Sequence, residues 1–211
     1  MTSSVEILPR LNVSCETIEK LKTYEALLLK WTKSINLISR QSEKMVWQRH
    51  ILDSAQLFPL IPDTPGDWID FGAGGGLPGV VLAILAVEQP SQRRLHLVES
   101  DHRKSAFLNH VCRSLDLNSV TVHTNRIDCL APFPVALITA RALASLTRLL
   151  EYSEPFISND TTLLFLKGEK ADSELTEAHR HWHSEAEVFE SKTDPSGRIL
   201  RLTNVRARND G

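Results

Sequence analysis

The stretch that most constrains this chain is Asp67-Trp-Ile-Asp-Phe-Gly-Ala-Gly-Gly-Gly-Leu-Pro-Gly79, where an apolar, β-favouring run meets a cluster of glycines. Glycines let the backbone take positive φ there and leave room for a ligand against bare main chain. Pro78 follows, and proline suits the opening of a helix because its missing N–H would be unpaired there anyway. The next segment, Gly79-Val-Val-Leu-Ala-Ile-Leu-Ala-Val-Glu88, is almost wholly apolar and reads as a helix buried against a sheet. Strand, glycine turn and buried helix form the first unit of a nucleotide-type α/β fold, with its ligand above the strand's C-terminal end.

Two cofactors compete for that loop. Gly74-Gly75-Gly76-Leu77-Pro78-Gly79 matches the dinucleotide pattern G-x-G-x-x-G. Asp70-Phe-Gly72-Ala-Gly74-Gly-Gly76 matches D-x-G-x-G-x-G, the S-adenosylmethionine pattern of methyltransferases. A carboxylate such as Asp70 can hold a cofactor's ammonium group, whereas it would repel a pyrophosphate. This favours the sulfonium cofactor.

At 211 residues the chain suits one α/β domain with an appendage. Its formal net charge is −2, so no global basic field advertises nucleic acid, and RNA contact needs a local patch. Cys15, Cys112 and Cys129 form no C-x-x-C pair and read as reduced thiols. Residues 1–7 lack a charged region followed by an apolar one, and the longest apolar helix is too short for a bilayer. The expectation is a soluble, cytoplasmic monomer without a metal.

Along the chain, Ser14 can cap a helix in which Ile18, Leu21, Leu28, Trp31 and Ile35 recur at helical spacing. A second amphipathic helix is expected from Ser42 to about Leu57, turning Met45, Val46, Ile51, Leu52 and Phe58 inward. Residues 1–62 therefore read as a helical cap, and residues 63–211 as the cofactor-binding domain. The cap's cations, including Lys33, Arg40, Arg49 and His50, are interspersed with acids and read as a solvated surface sooner than an RNA face. Further strands are expected at Arg94–Glu99, Val120–Thr124, Val135–Thr139, Thr161–Leu166, Glu187–Glu190 and Ile199–Val205, the last two joined by the turn Asp194-Pro-Ser-Gly197. Helices are expected at His102–Leu115 and Ser145–Phe156, with an acidic one from Ser173 to about Trp182. The fold class is α/β: a mainly parallel, Rossmann-like, seven-stranded sheet with an antiparallel edge strand.

Three acids stand at successive strand ends. Glu99 can accept both ribose hydroxyls of an adenosine-bearing cofactor, which either candidate carries. Asp128 can accept from an adenine amino group while Ile127 packs on the ring, or it can cap a turn. After the fourth strand there is no Asn/Asp-Pro-Pro-aromatic motif of amino-methylating enzymes, and no cysteine placed as a pyrimidine nucleophile. Arg141 stands there instead, with Arg126 beside the adenine site and Lys167 ending the fifth strand. Arginine presents planar donors suited to phosphate or to a guanine edge, and each of these cations can equally form a surface ion pair. His179, His181 and His183 lack the glutamate of H-E-x-x-H, so they read as no metal site.

The motifs Lys30-Trp-Thr-Lys-Ser-Ile-Asn-Leu37, Arg49-His-Ile-Leu-Asp-Ser54, the Asp70–Gly79 loop, Arg126-Ile-Asp128 and Arg141-Ala-Leu-Ala-Ser-Leu146 together resemble one family. It is the bacterial small-subunit rRNA guanine-N7 methyltransferases, also called glucose-inhibited division protein B. The resemblance implies an S-adenosylmethionine site at Gly72, Leu77, Ile127, Asp128 and Arg141, with Arg126, Arg141 and Lys167 near a guanine of 16S rRNA. Gly75 stands where an alanine or proline is more usual, and Leu143 replaces an aromatic residue. A dinucleotide-binding oxidoreductase, or a methyltransferase acting on a non-RNA substrate, remains the alternative.

Overall fold

β1 (Trp68–Phe71) is buried on both faces, as the central strand of a parallel sheet must be. The computed structural model describes residue 11, residues 13–88 and residues 93–208. In it β1 pairs in parallel with β2 (Leu95–Val98) on one side and β4 (Leu137–Arg141) on the other, Trp68 lying opposite both Leu95 and Leu137. β3 (Val120–His123) extends the sheet beyond β2, and β5 (Thr162–Lys167) extends it beyond β4. β6 (Trp182–Glu190) and β7 (Arg198–Ala207) complete seven strands in the order β3-β2-β1-β4-β5-β7-β6. The winding reverses between β1 and β4, and such a reversal opens a crevice above the strands' C-terminal ends.

The antiparallel strand is β7, which pairs with β5 and β6 and so lies one place in from the edge. β6 is longer than its sequence pattern suggests. It begins at Trp182, where a helix was expected to end; of its first residues only Trp182 is buried while His183 and Ser184 are half-buried, so no clean alternation marks the strand in the sequence. β4 also sits two residues later than expected. Val135 and Ala136 bond to Phe156 and Asp67 before the ladder starts, so Arg141 is the strand's last residue and not part of a following loop.

Helices cover both faces. α2 (Gly79–Ala86) is buried from Gly79 to Leu85, and α3 (His102–Ser114) is capped by the Asp101 carboxylate, which accepts from the Arg103 and Lys104 amides. On the other face lie α4 (Leu146–Ser153) and α5 (Ala171–Ala178). Alternate strand residues divide accordingly: Trp68, Leu97, Leu137 and Leu164 face α2 and α3, while Ile69, Phe71, Ile138 and Phe165 face α4 and α5.

α1 (Cys15–Thr32), capped by Ser14, adds Leu21, Tyr24 and Leu28 to the core under α2 and α3. The second expected helix is a stretch of changing pitch: a 3₁₀ turn Glu43–Met45, a π-helical segment Trp47–Leu52 and one α turn Asp53–Ala55. The wider pitch rotates the register away from 3.6 residues per turn. Met45 is therefore 47% exposed, while His50, expected on a solvated surface, turns inward and is buried. Among the described residues no helix is long and apolar enough to cross a membrane.

Candidate active site

The glycine loop is held on three sides. The Ala73 amide bonds to Val98 O of β2, and the Gly79 amide bonds to the Asp70 carboxylate at 3.2 Å. The Gly74 amide donates to Glu99 Oε2 at 2.9 Å, and Glu99 Oε1 takes the Asp101 amide at 2.8 Å. Gly72 and Gly74 have φ of +64° and +55°, which glycine adopts freely. They border a cleft of about 350 Å³ together with Glu99, Lys104, Arg126, Ile127, Asp128, Ala142, Leu143 and Tyr152. A Cβ added at Gly74 would meet nothing nearer than Gly72 O at 3.6 Å, so the main chain is open to the cleft. At Gly72 a Cβ would come within 2.6 Å of Leu143, which lies across the loop. A bare backbone cradle, an acid at one end and a second acid with an isoleucine at the other fit an adenosine-bearing cofactor.

Asp70 is not at this surface. It is fully buried, with Oδ1 accepting from Thr139 at 2.6 Å and Oδ2 from Gly79, so the direct ammonium contact read from the sequence is replaced by a fastening of loop to strand. Burial pushes its carboxyl up to about 7, against the two hydrogen bonds that hold it back. Leu77 is likewise buried in the core beneath the loop and does not line the cleft. Arg126 closes a two-pronged ion pair on Asp128, at 3.0 and 2.9 Å. That pair holds the Asp128 carboxyl below its ordinary range, and Arg126 lines this first cleft, apart from Arg141 and Lys167.

Those two cations line a second cleft of about 240 Å³ with Arg49, Asp53, Ala142, Glu174, Asp194 and Arg198. Ala142, at a φ of +50°, borders both clefts. Lys167 is gripped by Glu174 at 2.6 Å and by Ala144 O at 2.8 Å. Arg141 donates to Arg49 O at 3.0 Å and to His50 Nδ1 at 2.9 Å, and pairs with Asp53 at 3.3 Å. A guanidinium only donates, so His50 Nδ1 is the acceptor and its proton sits on Nε2, 2.9 Å from Ser42 Oγ. Burial, aided by Arg141 and Arg49, pulls His50 down to about 4 and keeps it neutral. Arg141 Nη1 is buried without a hydrogen-bond partner, since the Asp53 contact is misaligned for one. Asp53 also accepts from Gln56 at 2.9 Å and from Thr193 of the β6–β7 turn, and Arg49 pairs with Asp194 at 3.2 Å.

From the sequence Asp53 stands only within a motif and Asp194 only as a turn residue, and neither they nor Glu174 are singled out as site residues. The basic-acidic run Arg49-His-Ile-Leu-Asp53 carries a signal, which its π-helical pitch hides. Among the described residues no group of three His, Cys, Asp or Glu side chains is placed to hold a metal.

Comparison with known proteins gives the fold and the family. Among solved structures, a S-adenosylmethionine-dependent methyltransferase from Aquifex aeolicus superposes with a TM-score of 0.59 at 13% identity, covering 77% of this chain and 94% of that one. Fibrillarin from Aeropyrum pernix, in complex with S-adenosyl-L-methionine, superposes with a TM-score of 0.56 at 13% identity, covering 74% and 75%. These likenesses establish a shared class I methyltransferase fold. Ribosomal RNA small subunit methyltransferase G of Granulibacter bethesdensis is 47% identical over 193 residues, covering 92% of this chain and 88% of the relative. The protein of the same name from Cereibacter sphaeroides is 48% identical over 192 residues, covering 91% and 92%. The family model for GidB, rRNA small subunit methyltransferase G, matches residues 17–197, and it is to this family that the chain belongs.

Proposed function

We propose that the protein transfers the methyl group of S-adenosylmethionine to N7 of a guanine in 16S rRNA of the small ribosomal subunit. The observation that carries the reading is the wall at Ala142: a cofactor cleft and a cationic cleft meet there, so a methyl donor in one faces an acceptor in the other. The cofactor, when bound, supplies a methyl activated on a sulfonium. Gly72 and Gly74 offer it bare main chain, with Leu77 buried beneath the loop. Glu99 spends one lone pair of each oxygen on a backbone amide and keeps others for ribose hydroxyls. Asp128 and Ile127 are placed for an adenine edge and face.

Arg141 and Lys167 serve the acceptor. Guanine N7 must keep its lone pair for attack, so Arg141 Nη1, ion-paired with Asp53 yet without a hydrogen bond, suits guanine O6 or a neighbouring phosphate, not N7 itself. Positive charge passes to the purine as N7 is alkylated, and Asp53 beside Arg141 offsets it. N7 is unprotonated at neutral pH, so no general base is needed, and His50 is held as a structural acceptor. Positioning supplies most of the acceleration. In this reading the described residues up to 62 cap the domain formed by those from 63 onward, and the enzyme works as a cytoplasmic monomer without a metal; residues 1–10 and 12 of the expected cap lie outside the described residues.

The test is tritiated-methyl transfer, with a chelator present, to rRNA from a strain lacking this protein. The product should break at one guanine after borohydride and aniline, because only an N7-alkylated ring opens that way. A product that resists cleavage yet stops reverse transcriptase at a guanine would move the reaction to N1 or N2.

A further inference from the structure

α1 reaches the cofactor loop from behind. Tyr24 is fully buried in the core shared by α1, α2 and α3, and its hydroxyl donates to Gly75 O at 2.5 Å. That carbonyl belongs to the peptide whose other end, the Gly76 amide, donates to Ala73 O at 2.6 Å. The peptide is thus held at both ends. On either side Gly74 and Gly76 stand at φ of +55° and +87°, and a glycine peptide flips without meeting a Cβ. Leu28 and Leu37 stand close over Gly75, where an added Cβ would lie 3.1 Å from Leu28 Cδ1 and 3.6 Å from Leu37 Cβ. Gly72 and Gly74 of the same loop border the cofactor cleft.

We propose that Tyr24 is a positioning residue for cofactor binding, its hydroxyl locking the Gly75–Gly76 peptide so that the glycine loop is ligand-ready before S-adenosylmethionine arrives. Ordering a loop at the moment of binding subtracts from affinity, and a loop ordered beforehand avoids that loss. Burial raises the phenol far above its ordinary range, so it remains a donor at every working pH. The inference rests on the glycine loop being the S-adenosylmethionine site.

The experiment is calorimetric titration of S-adenosylmethionine into the intact protein, its Tyr24→Phe variant and a Leu21→Val control from the same buried face of α1. All are measured well below their melting midpoints. Losing one hydrogen bond should weaken cofactor binding about tenfold in Tyr24→Phe, with kcat at saturating cofactor within about twofold of the parent. Leu21→Val should lower the melting midpoint and leave affinity unchanged. Wild-type affinity in Tyr24→Phe, or equal weakening in Leu21→Val, overturns the inference and leaves Tyr24 a core residue only. If the parent itself shows no heat with S-adenosylmethionine, the cofactor reading fails instead. Hydrogen exchange decides the case independently should the variant not fold. The Gly76 amide of the parent must already be protected without ligand, and free exchange there overturns the proposal.

Discussion

The floor of the proposed cofactor cleft is main chain from the ends of neighbouring strands, whereas the proposed acceptor cleft is walled by side chains from four segments far apart in sequence. In the first, Gly72, Gly74 and two backbone amides on Glu99 do the shaping. In the second, Arg49–Asp194, Arg141–Asp53 and Lys167–Glu174 draw together the π-helical stretch, β4, β5 with α5, and the β6–β7 turn. A site made of backbone is sensitive to volume and φ. A site made of charge pairs is sensitive to the loss of one partner, because a buried charge left unpaired is costly.

The sharpest way to break this contrast is Gly74→Leu. Its side chain would enter the open cleft, so cofactor binding should fall by roughly 3–4 kcal/mol, about 10²- to 10³-fold. Folding stability should drop only by about 1–2 kcal/mol for the left-handed backbone, as read by denaturant unfolding. Unchanged affinity for S-adenosylmethionine would show that the loop is not the binding floor.

Arg141→Ala probes the other cleft. Removing a positioned cationic donor should cost about 2–3 kcal/mol, roughly 10²-fold in single-turnover methyl transfer, while S-adenosylmethionine affinity moves by less than about threefold. A variant that loses cofactor binding as steeply as transfer would merge the two clefts into one.

Each cleft also has a buried titrating group beside it, and their stability effects oppose. Asp70 is raised to about 7, so its contribution is present below the ordinary carboxylate value and is lost as pH rises toward 7. His50 is lowered to about 4, so its contribution is present above pH 6.5 and is lost as pH falls toward 4. Between those limits the slopes cancel. Asp70→Asn should make stability rise with pH across that window, and His50→Gln should make it fall, each by on the order of 3 kcal/mol. Parallel pH profiles for the parent and both variants, followed by chemical unfolding, would remove this pairing.

The smallest effect belongs to Arg126→Ala. Its pair with Asp128 is solvent-exposed on both sides, with 67% and 40% of the side chains accessible, so stability should be nearly unchanged. A modest change in S-adenosylmethionine affinity without a selective loss of transfer would place Arg126 with the cofactor, and a selective loss of transfer would return it to the RNA.

The glycine run, the apolar α2 and the strand-end acids Glu99 and Asp128 made legible the α/β class and the cleft beside the glycine loop, because each depends on local pattern: period, φ tolerance and position after a strand. Asp70 shows the limit even there, since only the packing of β1 against β4 and α2 reveals that its oxygens are already taken by Thr139 and Gly79. What tertiary structure alone decided is the acceptor cleft and its link to the cap. His50, Asp53 and Tyr24 each sit in helices whose sequence reads as ordinary amphipathic surface or core. Their roles come from a π-helical change of register and from partners 51 to 140 residues away, at Gly75, Arg141 and Thr193. Helical periodicity reports which face is apolar; it carries no information about which distant charge a polar residue on that face will meet.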